Sequence, residues 1–123
     1  GMDDIFMRAA WAEEAARAHN GGTLAALGGR SISIGPIHKL ASQDIKDRIL
    51  KDIVLGHKGS SLGITEPGGG SDVANMQTTA RQDGNHWVIN GAKTFITGGM
   101  TADYYVIGAR TGGEGLEGIS LFL

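Results

Sequence analysis

The sequence predicts an α+β fold, with helices first and antiparallel strands second, and three observations carry the prediction. In the first sixty residues, apolar side chains recur at helical spacing among Ala and Glu. Beyond Ser61, Thr, Val, Ile, Tyr and Trp gather in short runs separated by Gly, Asn and Asp, which is strand composition. Two pairs, Asp83-Gly84 and Asn90-Gly91, stand between such runs, and both residue types tolerate the positive φ that two-residue hairpin turns require. Helices segregated from strands exclude alternating βαβ units. At 123 residues the chain has the length of one small domain, and no internal repeat is visible.

The first helix is expected from Asp3 to His19, with Ile5, Ala9, Ala12 and Ala16 on one face. Asp3 and Asp4 favour its positive end, and Asn20-Gly21 suits a left-handed cap at the other. Thr23 to Leu40 is ambiguous: Ile32-Ser33-Ile34 alternates like a strand, whereas Leu24, Leu27 and Ile37 among small residues allow a helix. A buried helix packed through small residues is the expectation. Gln43 to Leu55 is a clear helix, N-capped by Ser42, striped by Ile45, Ile49, Leu50 and Ile53, and stopped by Gly56. Strands are expected near Leu62 to Thr65, Thr78 to Gln82, His86 to Ile89, Lys93 to Thr97, Tyr104 to Ala109 and Gly118 to Phe122, paired successively and antiparallel. Thr111 to Gly118 reads as a flexible Gly-rich loop.

Composition narrows the function. Eleven basic and thirteen acidic side chains give a formal charge of -2 with no Lys/Arg stripe, so nucleic acid is not an expected partner. No apolar run is long enough for a membrane span. The absence of cysteine excludes disulfides and thiolate metal sites and fits a reducing compartment, so a cytoplasmic location is expected. His19, His38, His57 and His86 are scattered without metal-site spacing, and no metal is expected. Gly1 ahead of Met2 reads as the remnant of a removed tag, and no signal peptide opens the chain.

Two segments could carry chemistry. Thr65-Glu66-Pro67-Gly68-Gly69-Gly70-Ser71-Asp72 combines three glycines with two hydroxyls, so backbone N–H groups could approach a ligand closely. It has neither the Gly-Lys-Ser/Thr end of a P-loop nor the dinucleotide fingerprint, and taken alone it reads as a solvent turn. Asn90 to Thr97 reads as a turn entering a strand, which would put Phe95 and Thr97 on one face and Thr94 and Ile96 on the other. Taken alone, that segment is a hairpin with one face in the core.

Together and in this order, the segments Leu62 to Asp72 and Trp87 to Gly99 resemble the two flavin-contacting stretches in the middle domain of the acyl-CoA dehydrogenase family. The resemblance extends to Ala102 to Val106 and Gly115 to Ser120, and more faintly through both clear helices. It departs at Gly99, where Asn-Gly or a relative often follows. It implies residues 1–60 as a partial N-terminal helical domain and 61–123 as a partial middle β domain, part of a truncated β-barrel-like unit. It further implies an FAD-dependent oxidoreductase acting on an acyl-CoA, with electron-transferring flavoprotein as acceptor of the full-length enzyme and a homo-oligomeric state.

By the same resemblance, Leu62, Gly63, Ile64, Thr65, Ser71, Phe95, Ile96 and Thr97 contact FAD, and Ser71 also contacts the acyl-CoA. The Thr97 hydroxyl would lie near the flavin N5. Glu66 has no role as a base in the family pattern, and loop-orienting work is expected of it. No catalytic residue is assigned, because the family's glutamate base belongs to a C-terminal helical domain; the chain alone is expected to be inactive and to hold FAD weakly or not at all. An acyl-CoA oxidase or flavin monooxygenase of the same fold, and a non-catalytic binding or interaction module on the same scaffold, are the alternatives.

Overall fold

A computed structural model describes residues 4–29 and 32–123. Helix α1, Ile5–Ala16, is capped by Asp4, whose carboxylate accepts from the Phe6 N–H at 2.8 Å. The expected start at Asp3 lies outside the described residues. The left-handed residue after α1 is His19 (φ 49), and Asn20 instead opens α2, Gly21–Gly29, by accepting from the Thr23 N–H at 3.1 Å. The expectation for 23–40 needs correction. The region forms two short helices, α2 and α3 (Ile34–Leu40), and α2 is mostly exposed.

The helix from residue 43 follows the sequence pattern more closely. Ser42 caps it, and α4 (Gln43–Ile45), a π-helical turn (Lys46–Leu50) and α5 (Lys51–Val54) form one continuous run. It stops at Gly56, where φ is 76 and a side chain would be strained. Ile53 is buried, and Ile45, Ile49 and Leu50 pack beside it against Ile37 of α3 and Val106 of the sheet. This apolar cluster is where helices and sheet meet. By contrast, the predicted apolar face of α1 has no cover: no residue of α1 is buried, and Phe6 is 81% exposed.

Five strands follow: β1 (Ser60–Gly63), β2 (Thr79–Asp83), β3 (His86–Asn90), β4 (Tyr104–Arg110) and β5 (Ile119–Phe122). The fold is α+β as predicted, but the sheet is mixed and open rather than purely antiparallel. β1 runs parallel to β4 from Ser60↔Tyr104 to Gly63↔Ile107, and β2 meets β4 in parallel at Thr79↔Arg110. β2–β3 and β4–β5 are antiparallel. The parallel pairing is possible because a long excursion separates β1 from β4, which is the connection parallel strands need.

Four local expectations are corrected. The β2–β3 turn comprises Gly84 and Asn85, one residue later than Asp83-Gly84, and only Gly84 has positive φ (57). Asn90-Gly91 makes no hairpin; Gly91 passes so close to Thr78 that an added Cβ would lie 2.7 Å from the Thr78 Cα. Lys93 to Thr97 is no strand: Phe95 takes φ 55, which ends any pleat there. The 111–118 loop is tied down, because Thr111 and Gly112 both donate to the Gly118 carbonyl and Arg110 reaches across to Gly113 and Gly115.

Candidate functional site

Segments 61–66 and 93–97, which the sequence reading singled out separately, lie side by side and antiparallel. The Ser61 hydroxyl donates to the Thr97 carbonyl at 2.8 Å, and the Thr94 N–H donates to the Thr65 carbonyl at 3.0 Å. At one end the Lys93 ammonium donates to the Ile64 carbonyl at 3.0 Å and to Glu66 Oε1 at 2.9 Å. Gly63 lies alongside, where an added Cβ would meet the Lys93 Cγ at ordinary contact distance, 3.5 Å, but press on the Ile107 Cδ1 at 2.7 Å.

Glu66 is the centre of the arrangement. It is buried and accepts from the Gln77 N–H at 2.7 Å and the Thr78 N–H at 2.8 Å, besides Lys93. Its own backbone exchanges both hydrogen bonds with Gly69, which closes the turn through Pro67 and Gly68. Burial alone would push its carboxyl up, but the Thr78 side chain and the Gln77, Lys93 and Thr78 donors outweigh burial and bring it down to about 2. A carboxylate so acidic, with its oxygens already engaged, makes a poor proton acceptor and a good strut. The Thr78 hydroxyl is buried close enough to the carboxylate to favour its charged form but makes no hydrogen bond of acceptable geometry, so the two backbone N–H groups and Lys93 are the firm part of that stabilisation.

The predicted contact residues separate into two groups. Leu62 packs into the cluster between helices and sheet, Gly63 is buried, and Ile64 and Thr65 are half-buried behind the glycine turn. Phe95 and Thr97 are exposed and Ile96 is half-buried; with Met100 and Tyr105 they line an open concavity of about 680 Å³. Phe95 and Thr97 thus face one hollow, but Thr94 and Ile96 line it too, so the two-faced division expected from strand alternation is absent. Ser71 is exposed on the glycine turn. A second hollow of about 400 Å³ lies between that turn, Met76 and Gly91.

Sequence reading missed three residues that build the site. Lys93 pairs with Glu66, and neither side chain is more than 10% exposed. Tyr105 donates its hydroxyl to the Gly99 carbonyl at 3.0 Å and braces the 98–100 turn. Arg110 donates to the carbonyls of Ala74, Met76, Gly113 and Gly115, joining the far end of the glycine segment to the 113–115 loop. An isolated Lys or Arg beside a strand gives no local signal of a partner thirty positions away.

Residues 61–123 match the model of the acyl-CoA dehydrogenase middle domain. The chain therefore belongs to the acyl-CoA dehydrogenase family. Among its relatives, the acyl-CoA dehydrogenase AFT10-1 of Alternaria alternata is 41% identical over 111 residues, covering 89% of this chain and 26% of that protein. A crystal structure of acyl-CoA dehydrogenase from Geobacillus kaustophilus superposes with a TM-score of 0.75 at 37% identity, over 82% of this chain and 28% of that one. A glutaryl-CoA dehydrogenase from Mycobacterium smegmatis in complex with FADH2 gives 0.68 at 37% identity, over 75% of this chain and 23% of that one. The chain thus spans about a quarter of the length of these relatives.

Proposed function

We propose that this chain is the flavin-facing part of an FAD-dependent acyl-CoA dehydrogenase, an enzyme that removes hydrogens from the α and β carbons of an acyl-CoA thioester. Residues 1–60 represent part of the helical domain and 61–123 part of the middle β domain. The observation that carries the reading is the tethering of 61–66 to 93–97, which leaves Phe95 92% exposed in a concavity that Thr97 also lines. An apolar ring held in the open beside a polar group suits a flat aromatic cofactor with polar edges. The FADH2 complex of a similar structure supports the same choice.

When bound, FAD supplies the hydride acceptor. In this reading Thr65, Phe95, Ile96 and Thr97 face the ring system, Leu62, Gly63 and Ile64 back it from the sheet side, and Ser71 reaches the acyl-CoA and the cofactor phosphates. Glu66 is a strut, so the base that takes the α-proton comes from outside these residues, and the 123-residue chain is inactive by itself. The full-length enzyme would pass electrons to electron-transferring flavoprotein, act in the cytoplasm and assemble as a homo-oligomer. Among the described residues no helix is long and apolar enough to cross a membrane.

The test is anaerobic addition of saturated acyl-CoA thioesters to the flavin-loaded, full-length product of the reading frame. Bleaching of the visible flavin band with formation of the enoyl-CoA is the expected result. Bound flavin that no acyl-CoA bleaches would instead favour a non-catalytic module. A parallel FAD titration of the 123-residue chain, with and without acyl-CoA, should show weak binding or none.

A further inference from the structure

Phe95 is one of two non-glycine residues with positive φ among those described, and the other, His19, merely ends a helix. A bulky residue in this region is an outlier, and it persists only where its surroundings impose it. Packing of the ring cannot be the cause, because the ring is 92% exposed. The constraint comes from the flanking residues. On one side Lys93 is held by Glu66 and the Ile64 carbonyl, and Thr94 by the Thr65 carbonyl. On the other side the Thr97 carbonyl is held by Ser61. Glu66 is itself fixed to the backbone of Gln77 and Thr78, so the Lys93 anchor is tied to the start of β2 as well.

We propose that Glu66 and Lys93 are positioning residues, whose buried pair holds residues 93–94 against 64–66 and thereby forces Phe95 into the left-handed conformation that projects its ring into the open concavity. The projecting ring is preorganised to stack on a planar aromatic ligand, so the ordering cost is met in folding rather than in binding. The identity of that ligand as flavin rests on the function proposed above; the origin of the backbone strain does not.

The experiment compares Phe95→Gly with Phe95→Ala, both lacking the ring, by urea unfolding of the 123-residue chain. In a left-handed position Gly is the more stable of the two, and in an extended position Ala is. The expected result is a higher midpoint for Gly in the native background and a smaller Gly advantage in the Lys93→Met background, where only the Thr94–Thr65 and Ser61–Thr97 bonds still hold the segment. A Gly–Ala difference of the same size in both backgrounds, or Ala ahead of Gly in the native one, would overturn the proposal. Should Lys93→Met fail to fold, Lys93→Gln replaces it in the cycle, and Lys93→Arg should keep the native Gly–Ala difference.

Flavin fluorescence gives an independent reading. Phe95→Ala and Lys93→Met should each weaken FAD binding about tenfold in the full-length protein, a change of about 1.4 kcal/mol, with partial rescue by Lys93→Arg. Full affinity in Lys93→Met would overturn the positioning role. Absence of flavin binding by the native full-length protein would refute the proposed function, while the Gly/Ala comparison would still decide the positioning role.

Discussion

Replacing Glu66 by Gln removes one charge from the centre of the site while keeping its shape, and its effect can be worked out from the structure. The native carboxyl sits at about 2 against an ordinary 4.5. At about 1.4 kcal/mol per pH unit, that difference contributes at most about 3 kcal/mol of stability at neutral pH. Because the folded value is the lower one, the contribution is complete above the unfolded value of 4.5 and is lost as pH falls towards 2. At about pH 3 roughly half remains. Gln offers one accepting oxygen in place of two and turns its amide toward either the Gln77 N–H or the Thr78 N–H and Lys93 ammonium together. Leaving that ammonium unpaired adds to the loss, and a total of about 3–5 kcal/mol is expected at neutral pH. Urea midpoints of both proteins, followed by tryptophan fluorescence at neutral pH and at about pH 3, measure the gap directly. The gap should narrow in acid, since every other carboxylate is common to both proteins. A gap of unchanged width would refute the assignment of Glu66 as an ionised, hydrogen-bonded strut.

Arg110→Met leaves the carbonyls of Ala74, Met76, Gly113 and Gly115 without their donor, and should cost about 2 kcal/mol while accelerating amide exchange in both loops. Gly91→Ala drives a methyl into the Thr78 backbone and should lower the urea midpoint by the equivalent of about 2 kcal/mol; Gly84→Ala meets open space and should cost about 1 kcal/mol from its positive φ alone. Ile5, Phe6 and Trp11 expose apolar surface along α1, so the double substitution Phe6→Asp/Trp11→Asp should reduce self-association in sedimentation velocity without changing helix content.

What was legible in the sequence was what local chemistry decides. Ser42 as a cap, Gly56 as a stop, an acidic start to α1 and the β2–β3 hairpin, though not the exact position of its turn, depend on neighbours within a few positions, and the structure has all of them. The expected strand at 93–97 failed because partners far away in the chain, Glu66 and Ser61, override the β-propensity of Thr94, Ile96 and Thr97. Antiparallel pairing of β1 failed for a related reason: propensity identifies a strand but not its neighbour, and the neighbour is β4. The two signature segments were legible as composition and as a resemblance. Their contact through Ser61, Thr65 and Lys93 was not, since nothing in either segment encodes the other's register. The exposed face of α1 shows the limit of periodicity, which identifies an apolar stripe without identifying what covers it.

The parallel contact between β1 and β4 also fixes when the site can come into being. Ser60 cannot find Tyr104 until the entire intervening stretch has left the ribosome, and that stretch contains both tethered segments and the hairpin between them. During synthesis the glycine turn, Glu66 and Lys93 are thus present long before the strand that sets β1 in place. Closing so long a loop is entropically slow, so helices 43–54 and the β2–β3 hairpin, built from near neighbours, should form ahead of the centre of the sheet. A ribosome paused before β4 would hold a chain with recognisable pieces and no site.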